Sequence, residues 1–146
     1  MKIKFLFPFL ALSGMIACSQ ATKEGDNSSS TTAKQEQPGV YFVNIKDGDN
    51  VKSPVYVEMG VSGKEVEPAG ELHEGKGHHH IIVDGEFIEQ GVMVPKDETH
   101  IHYGKGQTSD SLKLSSGKHT LTLQFANGLH QSYGKDWSST ISVNVQ

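Results

Sequence analysis

The sequence predicts an all-β fold, an immunoglobulin-like antiparallel β-sandwich of about seven strands. Three observations carry this: period-two alternation of apolar residues, glycine-bearing turns between the alternating runs, and no sustained helical period. The first strand is expected at 40–45, closed by the turn Asp47-Gly48. In the second, Val55, Val57, Met59 and Val61 alternate with Tyr56, Glu58 and Gly60. Shorter runs at 79–83, 99–103 and 111–114 follow, with turns at Asp84-Gly85 and Ser116-Gly117. Then His119, Leu121, Leu123 and Phe125 alternate with Lys118, Thr120, Thr122 and Gln124, and Ile141, Val143 and Val145 with Thr140, Ser142 and Asn144. One apolar and one polar face per strand describe antiparallel sheets packed on one side. The run Leu112-x-Leu114-x-x-Gly117-x-His119-Thr120-Leu121 resembles the corner before the sixth strand of such sandwiches, where a tyrosine bonds back to the backbone. A histidine stands in the tyrosine-like place.

The N-terminus reads as a processing signal. Lys2 and Lys4 precede an apolar run at 5–17, too short to span a bilayer comfortably. It ends in Gly14-Met15-Ile16-Ala17-Cys18, which resembles the lipobox of bacterial lipoproteins, cut before a cysteine that receives lipid. We therefore expect a signal peptide at 1–17, a lipid anchor at Cys18, a tether over 18–38 and one β domain at 39–146. The tether is Ser, Thr, Lys, Glu, Gln and Gly with almost nothing apolar to offset ordering entropy. Cys18 is the only cysteine, so no disulfide or thiolate metal site is available to the domain. Loss of Lys2 and Lys4 with the leader takes the formal charge from −4 to −6, and all thirteen basic residues are lysines. An acidic chain without arginine is a poor ligand for nucleic acid or anionic lipid, which need dense cationic contacts.

Five of the eight histidines fall in two short segments, Gly77-His78-His79-His80 and His100-Ile101-His102. Imidazole is the commonest protein ligand for borderline metals, and alternate residues of a strand point the same way. His78 and His80 share a face with Ile82, while His79 shares the other with Ile81 and Val83. Both faces are apolar beyond the histidines, so parity leaves the inward face open. If Ile101 points into the core, His100 and His102 face outward together. Two such pairs on neighbouring strands supply four nitrogens, enough for Zn(II) or tetragonal Cu(II). His130, in the glycine-rich loop 127–137, is a fifth candidate ligand. Met59 and Met93 are thioethers of the kind Cu(I) takes, although Met59 continues the apolar face of its strand. Asp84 and Gln107 are candidates to hold the second nitrogen of a ligand ring. His79 and His119 receive supporting or structural roles, with His119 expected as a core imidazole bonded to the corner backbone.

Catalytic signatures are thin. There is no Gly-x-Ser-x-Gly elbow, no phosphate-cradling glycine loop and no carboxylate pair spaced for acid–base work. Gly104-x-Gly106-Gln107-Thr108 is expected to form a turn. A metal-dependent enzyme would need a general base that the sequence does not name, so a non-enzyme is the expectation.

Several stretches together are similar to a bacterial family of small exported domains, domain of unknown function 4399. They are Tyr41-Phe42-Val43-Asn44-Ile45-Lys46-Asp47-Gly48-Asp49, Pro68-Ala69-Gly70, Gly77-His78-His79-His80, His100-Ile101-His102-Tyr103-Gly104-x-Gly106-Gln107-Thr108, and Leu114-x-x-Gly117-Lys118-His119-Thr120-Leu121. The resemblance implies a single β domain whose histidine motifs belong to its common design; it supplies no activity. It also implies a more histidine-rich last loop, of which only His130 is present here, with Gly128 and Tyr133 where further histidines are expected.

The expected function is that of a lipoprotein of the bacterial cell envelope, anchored to the membrane through Cys18, in the outer membrane facing the periplasm or the cell surface. Its domain would bind Cu(II) or Zn(II) through His78, His80, His100, His102 and His130 for metal storage, delivery or sensing, with an envelope protein as the partner class. The competing expectation is a non-catalytic envelope interaction module in which the histidines form a structural hydrogen-bond network.

Overall fold

The computed structural model describes residues 37–146. The expected leader, Cys18 and the tether up to residue 36 lie outside the described residues. Nine strands follow in order: β1 (Gly39–Phe42), β2 (Asp49–Val51), β3 (Val55–Ser62), β4 (Glu65–Val66), β5 (Lys76–Val83), β6 (His100–His102), β7 (Ser109–Leu112), β8 (Gly117–Ala126) and β9 (Ser138–Val145). One turn of 3-10 helix, Lys135–Trp137, precedes β9, and the described residues contain no α-helix. All seven expected strands are present. The two additional ones, β2 and β4, are three and two residues long, too short to show any alternation. Both pair in parallel, β2 with β9 and β4 with β5, in an otherwise antiparallel arrangement.

The strands form two sheets in a sandwich-like arrangement. The smaller has the order β1-β3-β7 and the larger β2-β9-β8-β5-β4, with β6 also on β5. Thus β4 and β6 share the edge of β5 that β8 leaves free, β4 at Lys76 and Gly77, β6 at His80 to Ile82. The core between the sheets joins Val40, Val55, Val57, Met59 and Leu112 from one side to Ile81, Leu121, Leu123, Phe125, Ile141, Val143 and Val145 from the other. These are the alternating apolar positions, which a period of two places on one face.

The larger sheet is not wet on its outer side. Residues 121–126 of β8 and 77–82 of β5 are buried without alternation. Segments 84–95 and 127–137 fold over that face, and the outward polar side chains bond them in place. Thr122 Oγ1 donates to the Gly85 carbonyl at 2.8 Å. Gln124 Oε1 accepts the Ile88 N–H at 3.0 Å, and its Nε2 donates to the carbonyls of Gly134 and Trp137, each at 3.1 Å.

At the corner before β8, His119 Nδ1 lies 2.8 Å from Asp84 Oδ2, and its Nε2 lies 3.1 Å from both the carbonyl and the hydroxyl of Ser115. The ring thus bonds back to the backbone four residues upstream, but it is part-buried at the corner and not in the core as its alternation with Leu121 predicts, because Asp84 holds it there. Asp84 sits at φ 55°, a left-handed conformation that aspartate tolerates, and its Oδ1 also accepts the Thr120 N–H at 2.9 Å. Replacing His119 by Phe is expected to cost about 1–3 kcal/mol by stranding these partners, and Phe125→Ala about 3–5 kcal/mol by opening a cavity. Urea unfolding checks both. A loss below about 0.5 kcal/mol at His119 would put that residue in the range of an ordinary surface position.

Candidate metal centre

His78, His79 and His80 lie on β5, and none of the three is more than 1 % exposed. Strand alternation divides them. His79 goes inward with Ile81 and meets Phe125 edge to face, ring centroids 5.0 Å apart. His78 and His80 go outward with Ile82, beneath the covering segments. Antiparallel pairing sets His102 of β6 directly opposite His80, and His130 arrives from the 127–137 loop. The four rings of His78, His80, His102 and His130 have centroid separations of 4.6 to 6.1 Å. His102 Nε2 lies 3.2 Å from His78 Nε2 and 2.9 Å from His130 Nε2. His78, His80 and His102 each present a nitrogen within 4.8 Å of the others. Nitrogens bound to one ion through bonds of about 2 Å stand roughly 3 to 3.5 Å apart, so the cluster is close to that spacing.

Local backbone chemistry makes this convergence. A Cβ at Gly104 would occupy the place of the His102 ring, and one at Gly128 would run into the backbone of Glu71. Between these glycines runs the segment Pro68-Ala69-Gly70. Its Ala69 N–H donates to the Gly104 carbonyl at 2.9 Å and its Gly70 N–H to the Gly128 carbonyl at 3.0 Å. The segment therefore straps the chain just after His102 to the turn just before His130. Asn127 builds that turn: its Oδ1 accepts the N–H of Leu129 and of Gln131 at 2.9 and 3.0 Å, and its carbonyl accepts the His130 N–H at 2.9 Å. His130 itself is left-handed at φ 66°, a conformation uncommon for residues other than glycine but one that histidine adopts more often than most.

Burial governs the charge of the site. It lowers His78 to about 4, with the neighbouring imidazoles of His102, His130 and His79 adding to the effect. His80 falls to about 2 through burial and then through His78, His102, His130 and His79. His79 falls to about 4 through burial. His102 is lowered by burial, then by His130 and Lys96. These four are neutral at physiological pH, the form in which an imidazole offers a lone pair to a metal. Within the protein, His78 Nδ1 and both ring nitrogens of His79 and of His80 have no hydrogen-bond partner. A buried polar atom left so costs about 1–3 kcal/mol.

Other expected site residues lie elsewhere. His100 stands opposite Ile82, one strand step beyond the cluster, and its Nδ1 is 2.8 Å from Asp97 Oδ1. That bond, with those from Thr99, holds the Asp97 carboxyl well below the usual carboxylate range. His100 is thus engaged by a carboxylate and does not join the four rings. Asp84 serves His119 and not a clustered imidazole. Gln107 caps its own turn by accepting the Lys105 N–H at 2.8 Å. His79 points to the core and cannot orient a ligand on the other face. Met59 is a core residue at 3 % exposure and Met93 is 65 % exposed, so neither thioether is in the cluster. Sequence reasoning missed Asn127 and the Pro68-Ala69-Gly70 strap, although the Asn127-Gly128 turn pair and the Pro-Ala-Gly motif were visible.

The depressed histidines make the fold acid-sensitive. An unfolded histidine titrates near ~6.5, whereas the folded rings of His78 and His79 take up protons near about 4 and that of His80 lower still. The unfolded chain binds more protons between these values. Stability is therefore complete above about pH 6.5 and declines as pH falls toward 4, by up to about 1.4 kcal/mol per pH unit for each ring. In metal-free protein, His79→Leu is expected to be neutral or stabilising at pH 7.5 and to make this decline shallower. Urea midpoints between pH 7.5 and 4.5 measure it; superimposable pH profiles for the two proteins would contradict a buried neutral His79.

No curated protein and no solved structure matches the chain. One family model, described as Domain of unknown function (DUF4399), matches residues 57–146, a stretch that holds all four clustered histidines and strands β4 to β9. On that match, over more than half of its length, the chain belongs to the DUF4399 family.

Proposed function

We propose that this protein is a cell-envelope lipoprotein whose β domain binds a transition metal, Cu(II) or Zn(II), through His78, His80, His102 and His130, for storage, delivery or sensing. The observation that carries the reading is the convergence of four imidazoles from three separate segments, with Nε2 atoms 2.9 and 3.2 Å apart. Two of the rings, His78 and His80, are fully buried and lack partners at three of their nitrogens. A hydrogen-bond network selected for stability would satisfy those atoms; a metal takes up a lone pair that nothing in the protein uses. The donor set is all nitrogen. Oxygen-seeking Ca(II) and Mg(II) find no ligand there, and imidazole suits copper and zinc.

The residues divide the work. His78 and His80, held on a central strand, form a rigid floor whose rings stay uncharged and ready well below neutral pH. His102 and His130, half-buried, form the mouth. The Ala69–Gly70 strap and Asn127 hold that mouth in position. The envelope location rests on the leader-like segment 1–17 and on Cys18 as lipid anchor, with the domain borne on the 18–38 tether and an envelope protein as the partner that gives or takes the metal.

A second reading has one observation in its favour. The same two Nε2–Nε2 distances suit N–H···N hydrogen bonds to His102, so an interaction module stabilised by an imidazole network would place these rings alike. Calorimetric titration of chelator-stripped protein with Cu(II) and Zn(II) separates the two. We expect one ion per chain at micromolar or tighter affinity. His80→Ala and His102→Ala should each weaken binding by at least about tenfold, Asn127→Ala by about ten- to a hundredfold as a residue that orients a ligand, and His100→Ala by less than about twofold. Millimolar binding that His80→Ala leaves unchanged would favour the interaction module.

A further inference from the structure

Away from the histidines, Lys64 occupies an unusual position. Its ammonium lies 4.0 Å from the Tyr133 ring centroid and 4.4 Å from that of Trp137. Among the described residues it makes no ion pair. The two rings stand 6.1 Å apart and back onto Phe125 in the core, so their faces are held rigidly. A cleft of about 700 Å³ opens on these rings, within the size of small-molecule sites. The acidic residues Glu74 and Asp136 line it, beside Gln90 and His73. Burial, then the charges of Glu67 and Glu74, raise the Tyr133 phenol above its ordinary value, a sign of the negative potential there.

Two electron-rich ring faces and two carboxylates around a ligand-sized space form a seat for a cation. An anion is disfavoured by the carboxylates, and a neutral ligand gains nothing from them. We propose that the cleft bounded by Tyr133, Trp137, Glu74 and Asp136 binds an organic ammonium ion, best a quaternary one, and that Lys64 is an internal occupant which the ligand displaces. A quaternary ammonium fits better than the lysine because it is larger, spreads its charge over methyl groups and is less strongly hydrated, so more of its attraction to the rings survives desolvation. None of the four clustered histidines lines the cleft, although Asn127, which builds the turn before His130, does.

Trp137 is the only tryptophan in the chain, so its emission reports on the cleft directly. The full-length protein, with chelator present and ionic strength matched by sodium chloride, is titrated with tetramethylammonium and with choline. We expect a saturable change in emission. Lys64→Ala should bind roughly three- to thirtyfold more tightly, because the competing ammonium is gone, while Lys64→Arg, which refills the seat, should not gain. Glu74→Gln, at an exposed position, should weaken binding. Phosphatidylcholine vesicles form a second arm: binding to them assigns the cation to a lipid headgroup, and binding to free choline alone assigns it to a soluble ligand. The inference is overturned if neither wild type nor Lys64→Ala responds saturably at tens of millimolar. It is equally overturned if Lys64→Ala loses thermal stability without gaining affinity, which would make Lys64 a cation–π staple only.

Discussion

Burial of β5 on both of its faces is the constraint on which the rest of this structure depends. A strand in a sandwich ordinarily has a wet side where polar groups meet water. Here the inner face meets the opposing sheet and the outer face lies beneath segments 84–95 and 127–137, so a run of three histidines has no solvent to use. Burial makes the charged imidazolium costly, and the rings stay neutral. It also leaves ring nitrogens of His78, His79 and His80 without a hydrogen-bond partner within the protein. The proposed metal site rests on these two effects together: uncharged donors whose ring nitrogens have no partner within the protein.

His119 is also largely covered, yet Asp84 takes one of its nitrogens and Ser115 the other. The fold therefore has the means to satisfy an imidazole fully where the ring's role is to hold a corner. At His80 it does not, although Gln124, directly opposite on β8, carries an amide that forms three hydrogen bonds to the covering segments. Polar side chains on that face tie down the cover and leave the imidazoles to one another. His100 illustrates the same distinction from the other side, since a carboxylate from its own turn engages it.

Much of the fold was legible because sandwich strands carry a period-two code. The alternations at 55–61, 118–125 and 140–145 placed Val57, Leu121, Leu123 and Val143 in the core, and all four are fully buried. What escaped were β2 and β4, whose two or three residues hold less than one full alternation, and the outer cover, which is built from loops without periodicity. At the site, His78, His80, His102 and His130 are among the histidines that spacing singles out, and their rings lie together. His100 was grouped with them because spacing alone cannot tell two positions on one face apart. The difference is register: His102 pairs with His80, while His100 pairs with Ile82 and turns to Asp97.

By itself the sequence determined the all-β class, the core positions and the presence of two histidine pairs at strand spacing, since each follows from local alternation and composition. Only the tertiary structure decided which histidines meet. Side-chain parity within one strand says nothing of the register between strands, nor of where a loop such as 127–137 returns. Both are set by pairing between residues far apart in the chain, by the close approaches that Gly104 and Gly128 permit, and by the strap that joins them.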